Sequence, residues 1–177
     1  MKEIKKAIIF DAGALITISM NGLDKELRAL KDIFDGAFLI TQQVKKEIID
    51  KPLTIKNFEL EALRTKKLLD EKVIELAKDY GFDDSVIESK SNEIMNIANS
   101  FFMSPKESVK ILHLGEASCI ALSDILNKKN IKNVIVIDER TTRLLIEKPE
   151  NLRELLVRKL HTNISLVKQN FAYFKNF

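Results

Sequence analysis

One cysteine, three prolines, five glycines and no tryptophan are what this chain of 177 residues has least of. A lone Cys119 leaves no internal disulfide and no cysteine-based zinc site, and it leans towards a reducing compartment. So little Pro and Gly argues against an all-β sandwich or barrel, whose many turns need both, and leaves room for long helices. A dominant sign of charge is missing too. Against 29 Lys and Arg stand 26 Asp and Glu, and the net +3 announces no nucleic-acid partner by itself. No hydrophobic run approaches bilayer length. The apolar stretch 7–10 stops at Asp11, too short for the core of a signal peptide. The expectation is a cytoplasmic, soluble chain with no membrane contact.

At 45% hydrophobic and 31% charged, what is present reads as globular rather than disordered. The length suits one domain spanning residues 1–177. Residues 4–10 form a β-branched and aromatic run that ends at Asp11-Ala12-Gly13, a buried strand followed by a turn. Helices are predicted over residues 14–20 and 24–34, the second with Leu27, Leu30, Ile33 and Phe34 at helical spacing. Residues 37–40 read as a second strand. Thr41 is the N-cap of a helix to residue 50, with Val44 and Ile48 an i, i+4 core pair.

Residues 54–103 form a helical elaboration in the middle of the chain. One helix carries Leu60, Leu63, Leu68 and Leu69, residues 73–76 make a short strand, and a second helix turns Ile87, Ile94, Ala98 and Phe101 to one face. A helix over 114–126 follows, then the strand 134–137, which stops at Asp138. Helices over 139–148 and from Pro149, and a final strand at 164–167, complete the chain. Strands alternating with helices imply a three-layer α/β/α arrangement around a central parallel sheet covered on both faces.

Two strands end at an aspartate, Asp11 and Asp138. Ligands of open α/β sheets bind at the carboxyl ends of strands, although an aspartate there also caps the following helix. Glu47 borders the buried stripe of its helix, and Glu116 lies in the first turn of a helix of small and apolar neighbours. Taken alone, Glu47 reads as a solvated edge and Glu116 as a dipole-favoured residue. Four carboxylates in one cleft would repel unless neutralised by cations. Oxygen ligands without His or Cys suit Mg²⁺ or Mn²⁺, which activates water and holds a phosphate for in-line attack.

IIFDAGALI around Asp11, ITQQVKKEI around Glu47, LGEASCIALS around Glu116 and VIVIDERTTR around Asp138 together resemble the PIN-domain family of metal-dependent nucleases, over nearly the whole chain. The resemblance implies an acidic pocket at the carboxyl end of the sheet, with Asp11, Glu47, Glu116 and Asp138 as catalytic and metal-site acids. It also implies Mg²⁺- or Mn²⁺-dependent hydrolysis of RNA phosphodiester bonds, as the toxin of a toxin–antitoxin pair or as an RNA-processing factor. An antitoxin protein and a homodimer are the protein partners expected. The pattern departs at two places. Ala12 and Gly13 stand where many members carry polar side chains, and Thr141 stands where some carry a further acid, while Glu139 points elsewhere.

Those departures motivate the alternative, a PIN-like module that binds RNA or a partner protein without cutting. A haloacid-dehalogenase-like phosphatase would need an Asp where Gly13 stands. Arg140 and Arg143, one turn apart beside Asp138, either steer phosphates or brace the acids. Ser118 has no histidine placed to activate it, His113 reads as a turn residue, His161 as a solvated helix end and Cys119 as a buried thiol. The aromatics Phe171, Tyr173, Phe174 and Phe177, interleaved with lysines, read first as a segment docked on the core or on a second copy, and otherwise as a track for stacking single-stranded nucleic acid. With four of the 26 acids gathered in a pocket, the remaining 22 leave the rest of the molecule at +7, a basic surround suited to a phosphate backbone.

Overall fold

The protein is described by a computed structural model over residues 3–167. A continuous apolar run builds β1 (Lys6–Phe10), in which Ala7, Ile9 and Phe10 are buried. Asp11 then caps α1 (Ala12–Met20), and α2 (Asp24–Ile33) follows. All four residues of β2 (Ala37–Ile40) are buried, as befits a strand covered on both faces. Thr41 accepts a hydrogen bond from the Val44 N–H at 3.1 Å and so caps α3 (Gln42–Lys45). Residues Lys46–Asp50 continue it as a π-helical turn. After α4 (Glu59–Asp70) come the short β3 (Glu75–Leu76), α5 (Asp84–Ala98) and the two-residue β4 (Phe102–Met103). Then α6 (Leu114–Lys128), β5 (Lys132–Val136), α7 (Arg140–Glu147), α8 (Pro149–Leu160) and β6 (Ser165–Leu166) end the described chain.

The result is an α/β fold with eight α-helices among the described residues and a four-stranded parallel sheet of order β3-β2-β1-β5, compatible with a three-layer α/β/α arrangement. Ile9 lies opposite Leu39 on one side and Ile135 on the other. The chain steps outward from β1 to β2 and β3, then returns to the far side of β1 with β5. Strand order therefore reverses between β1 and β5, the position where such sheets open a crevice at their carboxyl ends. Over this point lies α6, buried from Gly115 to Leu122. Its small residues allow close approach, and the Cys119 thiol donates to the Phe10 carbonyl at 3.7 Å. No helix of the described residues is long and apolar enough to cross a membrane.

Four expectations need correction. β5 is the sheet edge among the described residues rather than a strand covered on both faces, and its Val134 is 58% exposed. The final strand does not join the parallel sheet. β6 runs antiparallel to β4, with Leu166 opposite Phe102, because the buried Phe101 and Phe102 anchor that pair and Arg153 Nε donates to the Ile164 carbonyl at 2.8 Å. Leu30 and Ile33 of α2 are exposed, since only Leu27 of that helix is buried. In α4 the inward face is Ala62, Thr65 and Leu68 rather than the line of leucines. The smaller residues let α4 approach α1, leaving Leu60 and Leu63 outside. The aromatics expected at 171–177 fall outside the described residues.

One side chain stands in for a strand. Asn99, at the end of α5, donates to the Leu112 carbonyl at 3.0 Å and accepts from the N–H groups of Ile111 and Leu112 at 2.7 and 3.0 Å. It thereby holds the segment that leads into α6. Replacing it leaves three part-buried backbone groups unpaired, each costing about 1 kcal/mol. Asn99→Ala should lower unfolding stability by roughly 2–3 kcal/mol, measured by urea titration, with an unchanged slope.

Candidate acidic site

The backbone of Asp11 extends the sheet by one more bond, its N–H donating to the Val136 carbonyl at 3.1 Å. There the chain turns into α1, and Asp11 Oδ2 accepts from the Gly13 N–H at 3.2 Å. Asp11 is 4% exposed and lines an open cleft of about 580 Å³ at the carboxyl ends of β1 and β5. Asp11 caps α1 and lines the cleft at once.

Glu47, Glu116 and Asp138 line the same cleft. Glu47 comes from the π turn after α3, and Gln43 Nε2 donates to its Oε1 at 2.8 Å. Such turns interrupt an α-helix with an extra residue and recur at functional sites. Glu116 sits in the first turn of α6, where its Oε2 accepts from the His113 N–H at 2.6 Å. One of its oxygens is thus engaged in capping while the residue faces the cleft. Asp138, two residues past β5, accepts from Thr17 Oγ1 of α1 at 2.9 Å.

Gly115 governs how Glu47 enters. A Cβ at that position would stand 2.5 Å from Glu47 Oε2, so only a residue without a side chain leaves the carboxylate where it is. At Gly13, by contrast, a Cβ would meet Asp11 Oδ2 and Asp138 Cβ at an ordinary 3.5 Å. The polar side chain that the resembling family carries near there is missing, but the room for it exists. Thr17 supplies a hydroxyl to Asp138 from further along the same helix.

Burial raises the Asp11 carboxyl above its ordinary value. The N–H groups of Ala12 and Gly13 oppose the shift, and the charges of Glu47 and Asp138 add to it. Burial raises Glu116 as well, against the His113 N–H, with Asp11 adding to the shift. Among the described residues none of the four acids is paired with a Lys or Arg. Nor do the described His, Cys, Asp and Glu residues include three gathered tightly enough to enclose a metal ion. The donor set is nonetheless all oxygen, is ion-paired to no Lys or Arg among the described residues, and has the Glu47 carboxylate seated closely against Gly115. That chemistry fits a hydrated Mg²⁺ or Mn²⁺, which is held by one or two carboxylates and otherwise through water.

Other expectations fare differently. Glu139 does not point elsewhere: it lines the cleft while its Oε2 accepts from the Thr142 N–H at 2.8 Å to cap α7. Arg140 and Arg143 line no part of this cleft. Arg140 borders a separate hollow of about 430 Å³ between α7 and α8, together with Arg158, and Arg143 Nε lies 4.0 Å from Glu147. Neither arginine is ion-paired to the acids, because α7 begins at Arg140 and carries Arg140 towards α8 and Arg143 towards Glu147. Ser118 is a packing residue, donating to the Gly115 carbonyl at 2.6 Å. Cys119 is buried, and burial holds its thiol well above the usual range. His113 precedes α6 and lines the cleft.

Three contributors escaped the sequence reading. Gln43 and Lys51 stand four residues either side of Glu47, a spacing that could have revealed them. Thr17 carried no local signal, since its partner lies 121 residues away. Comparison with protein-family models, with curated proteins and with solved structures finds no match.

Gly115→Ala should fold with a melting temperature close to wild type yet displace the Glu47 carboxylate. Isothermal titration should then show Mn²⁺ affinity reduced by about tenfold, in line with the loss of an orienting contact. The raised carboxyls give a second expectation. Asp11 has a folded-state pKa above its ordinary 3.8, so its contribution disfavours the folded state increasingly as pH rises through that window. Asp11→Asn keeps the cap and removes the charge. Without metal at pH 7 it should melt about 2–4 °C above wild type, and the difference should vanish as pH falls towards 4.

Proposed function

We propose that residues 1–177 act as one PIN-like, Mg²⁺- or Mn²⁺-dependent ribonuclease hydrolysing RNA phosphodiester bonds, as a toxin of a toxin–antitoxin pair or as an RNA-processing factor. One observation carries this reading. Four acids from four separate segments, Asp11, Glu47, Glu116 and Asp138, line one cleft at the reversal point of a parallel sheet with no Lys or Arg paired to them among the described residues. Uncompensated carboxylates disfavour folding and serve no packing purpose.

The chain's own groups divide the work. Asp11 and Asp138, at the ends of β1 and β5, offer carboxylate oxygens across the cleft mouth, steadied by the Gly13 N–H and the Thr17 hydroxyl. Glu47 is aimed by Gln43, and Glu116 keeps one oxygen free of its cap. A bound divalent ion would supply a lowered pKa for its water and a charge against the phosphate.

A second reading, a non-cutting module that docks a partner protein or a second copy, is favoured by a separate surface. Met20, Ile33, Phe58 and Leu60 are exposed on α1, on α2, just before α4 and on α4. Of these, Met20 and Phe58 line an apolar hollow of about 410 Å³ between α1 and α4.

Incubation of wild type with mixed-sequence single-stranded RNA should give cleavage that needs Mg²⁺ or Mn²⁺ and stops with EDTA. Asp11→Asn and Asp138→Asn should each reduce the rate at least about 100-fold, a loss ordinary for a group acting in the transition state. RNA affinity should fall between low and moderate salt. Wild type and both variants behaving alike would sink the nuclease reading.

A further inference from the structure

A cleft lined by five carboxylates is a poor place to receive a phosphodiester, and divalent cations offset the repulsion only at the acids they touch. One lining residue carries a permanent positive charge. Lys51 faces the same cleft as Asp11, Glu47 and Asp138. It closes the π turn, its N–H donating to the Lys46 carbonyl at 3.0 Å, so the turn that presents Glu47 also presents Lys51.

What sets it apart is its place in the cleft, which neither Lys45 nor Lys46 lines. Lys45 is committed to Asp50, with Nζ 2.8 Å from Oδ1. Lys51 is exposed and makes no ion pair among the described residues, although Glu47 stands four positions before it. An ammonium beside several carboxylates that pairs with none of them is neither a brace for the acids nor part of the core. Nor can it ligate a cation, which it repels.

We propose that Lys51 is the phosphate-binding residue of the acidic cleft, its ammonium engaging a non-bridging oxygen of the RNA backbone held there. The proposal rests on the ribonuclease reading and names the group through which that site receives its substrate. A flexible stem carrying a compact point charge suits a phosphate that must slide into register, where a planar guanidinium would impose one orientation. The assignment carries a signature that a structural role lacks. Removing this charge weakens RNA binding and leaves cation binding equal or tighter, whereas removing an acid weakens cation binding.

The test uses the full chain as wild type, Lys51→Gln and Lys51→Arg. A 5′-fluorescein single-stranded oligoribonucleotide is titrated by anisotropy in EDTA and again in Mn²⁺, Mn²⁺ affinity is read by calorimetry, and cleavage is timed. Lys51→Gln should lose about five- to tenfold in RNA affinity under both conditions, and its logarithmic salt slope should shrink by about one. Its Mn²⁺ affinity should be unchanged or tighter, its melting temperature unchanged, and Lys51→Arg should recover most of the binding.

RNA affinity and salt slope equal to wild type in Lys51→Gln would overturn the assignment, as would Mn²⁺ binding weakened by the same factor as RNA binding. Cleavage by wild type with Lys51→Gln indistinguishable from it sinks Lys51 and spares the nuclease reading. Lys51-dependent RNA binding without cleavage in either metal does the reverse. No RNA binding by wild type removes both.

Discussion

Close contact between α6 and the end of β1 sets the geometry on which everything at the carboxyl edge of the sheet depends. Ala117, Cys119 and Ala121 are small enough for the helix to lie near the strand, near enough for the Cys119 sulfur to meet the Phe10 carbonyl. That approach brings the first turn of α6 beside Asp11, and with it Glu116, Gly115 and His113. A larger side chain at Cys119, which meets the Phe10 carbonyl, would lift α6 and widen the gap between Asp11 and Glu116. The acids line one cleft because the small residues in the first half of α6 permit its close approach.

The convergence works against stability. Burial raises both Asp11 and Glu116, and each feels the other acids, so the metal-free fold carries a repulsion that a packed apolar cluster would lack. Hydrogen bonds from Gly13, Thr17, Gln43 and His113 fix the directions of the carboxylates without neutralising them. That combination, rigid orientation with charge left unsatisfied, is characteristic of sites held ready for a cation or a proton.

How much was legible in the sequence follows from how local each cause is. The strand–Asp junctions were readable because a β-branched run and the residue that ends it are neighbours in the chain, and β1 and β5 form where the apolar patterning places them. The cap by Thr41 follows from a spacing of three residues. Burial on the outer helices was not readable. Leu60 and Leu63 repeat at helical intervals, but whether a leucine or an alanine turns inward is decided by the distance to α1, which no local pattern records. The same limit hid Thr17, whose value lies in Asp138, and left the last strand, found where it was expected, without its partner Phe102. For Arg140 and Arg143, nearness in sequence to Asp138 was a poor guide, since a helix start carries them off within two residues.

The π turn at Lys46–Asp50 has a meaning of its own. A π turn is an α-helix lengthened by one residue without being lengthened by one rise, and it advances everything before it by roughly a quarter turn relative to everything after it. The entry of Glu47 and Lys51 into the cleft is therefore written in the number of residues between Thr41 and Pro52 as much as in their identities. A chain one residue shorter in this stretch would keep every acid and every base yet aim them differently. Deletions and insertions here alter the site as sharply as substitutions do, and a comparison of chains by residue identity alone would pass over the difference.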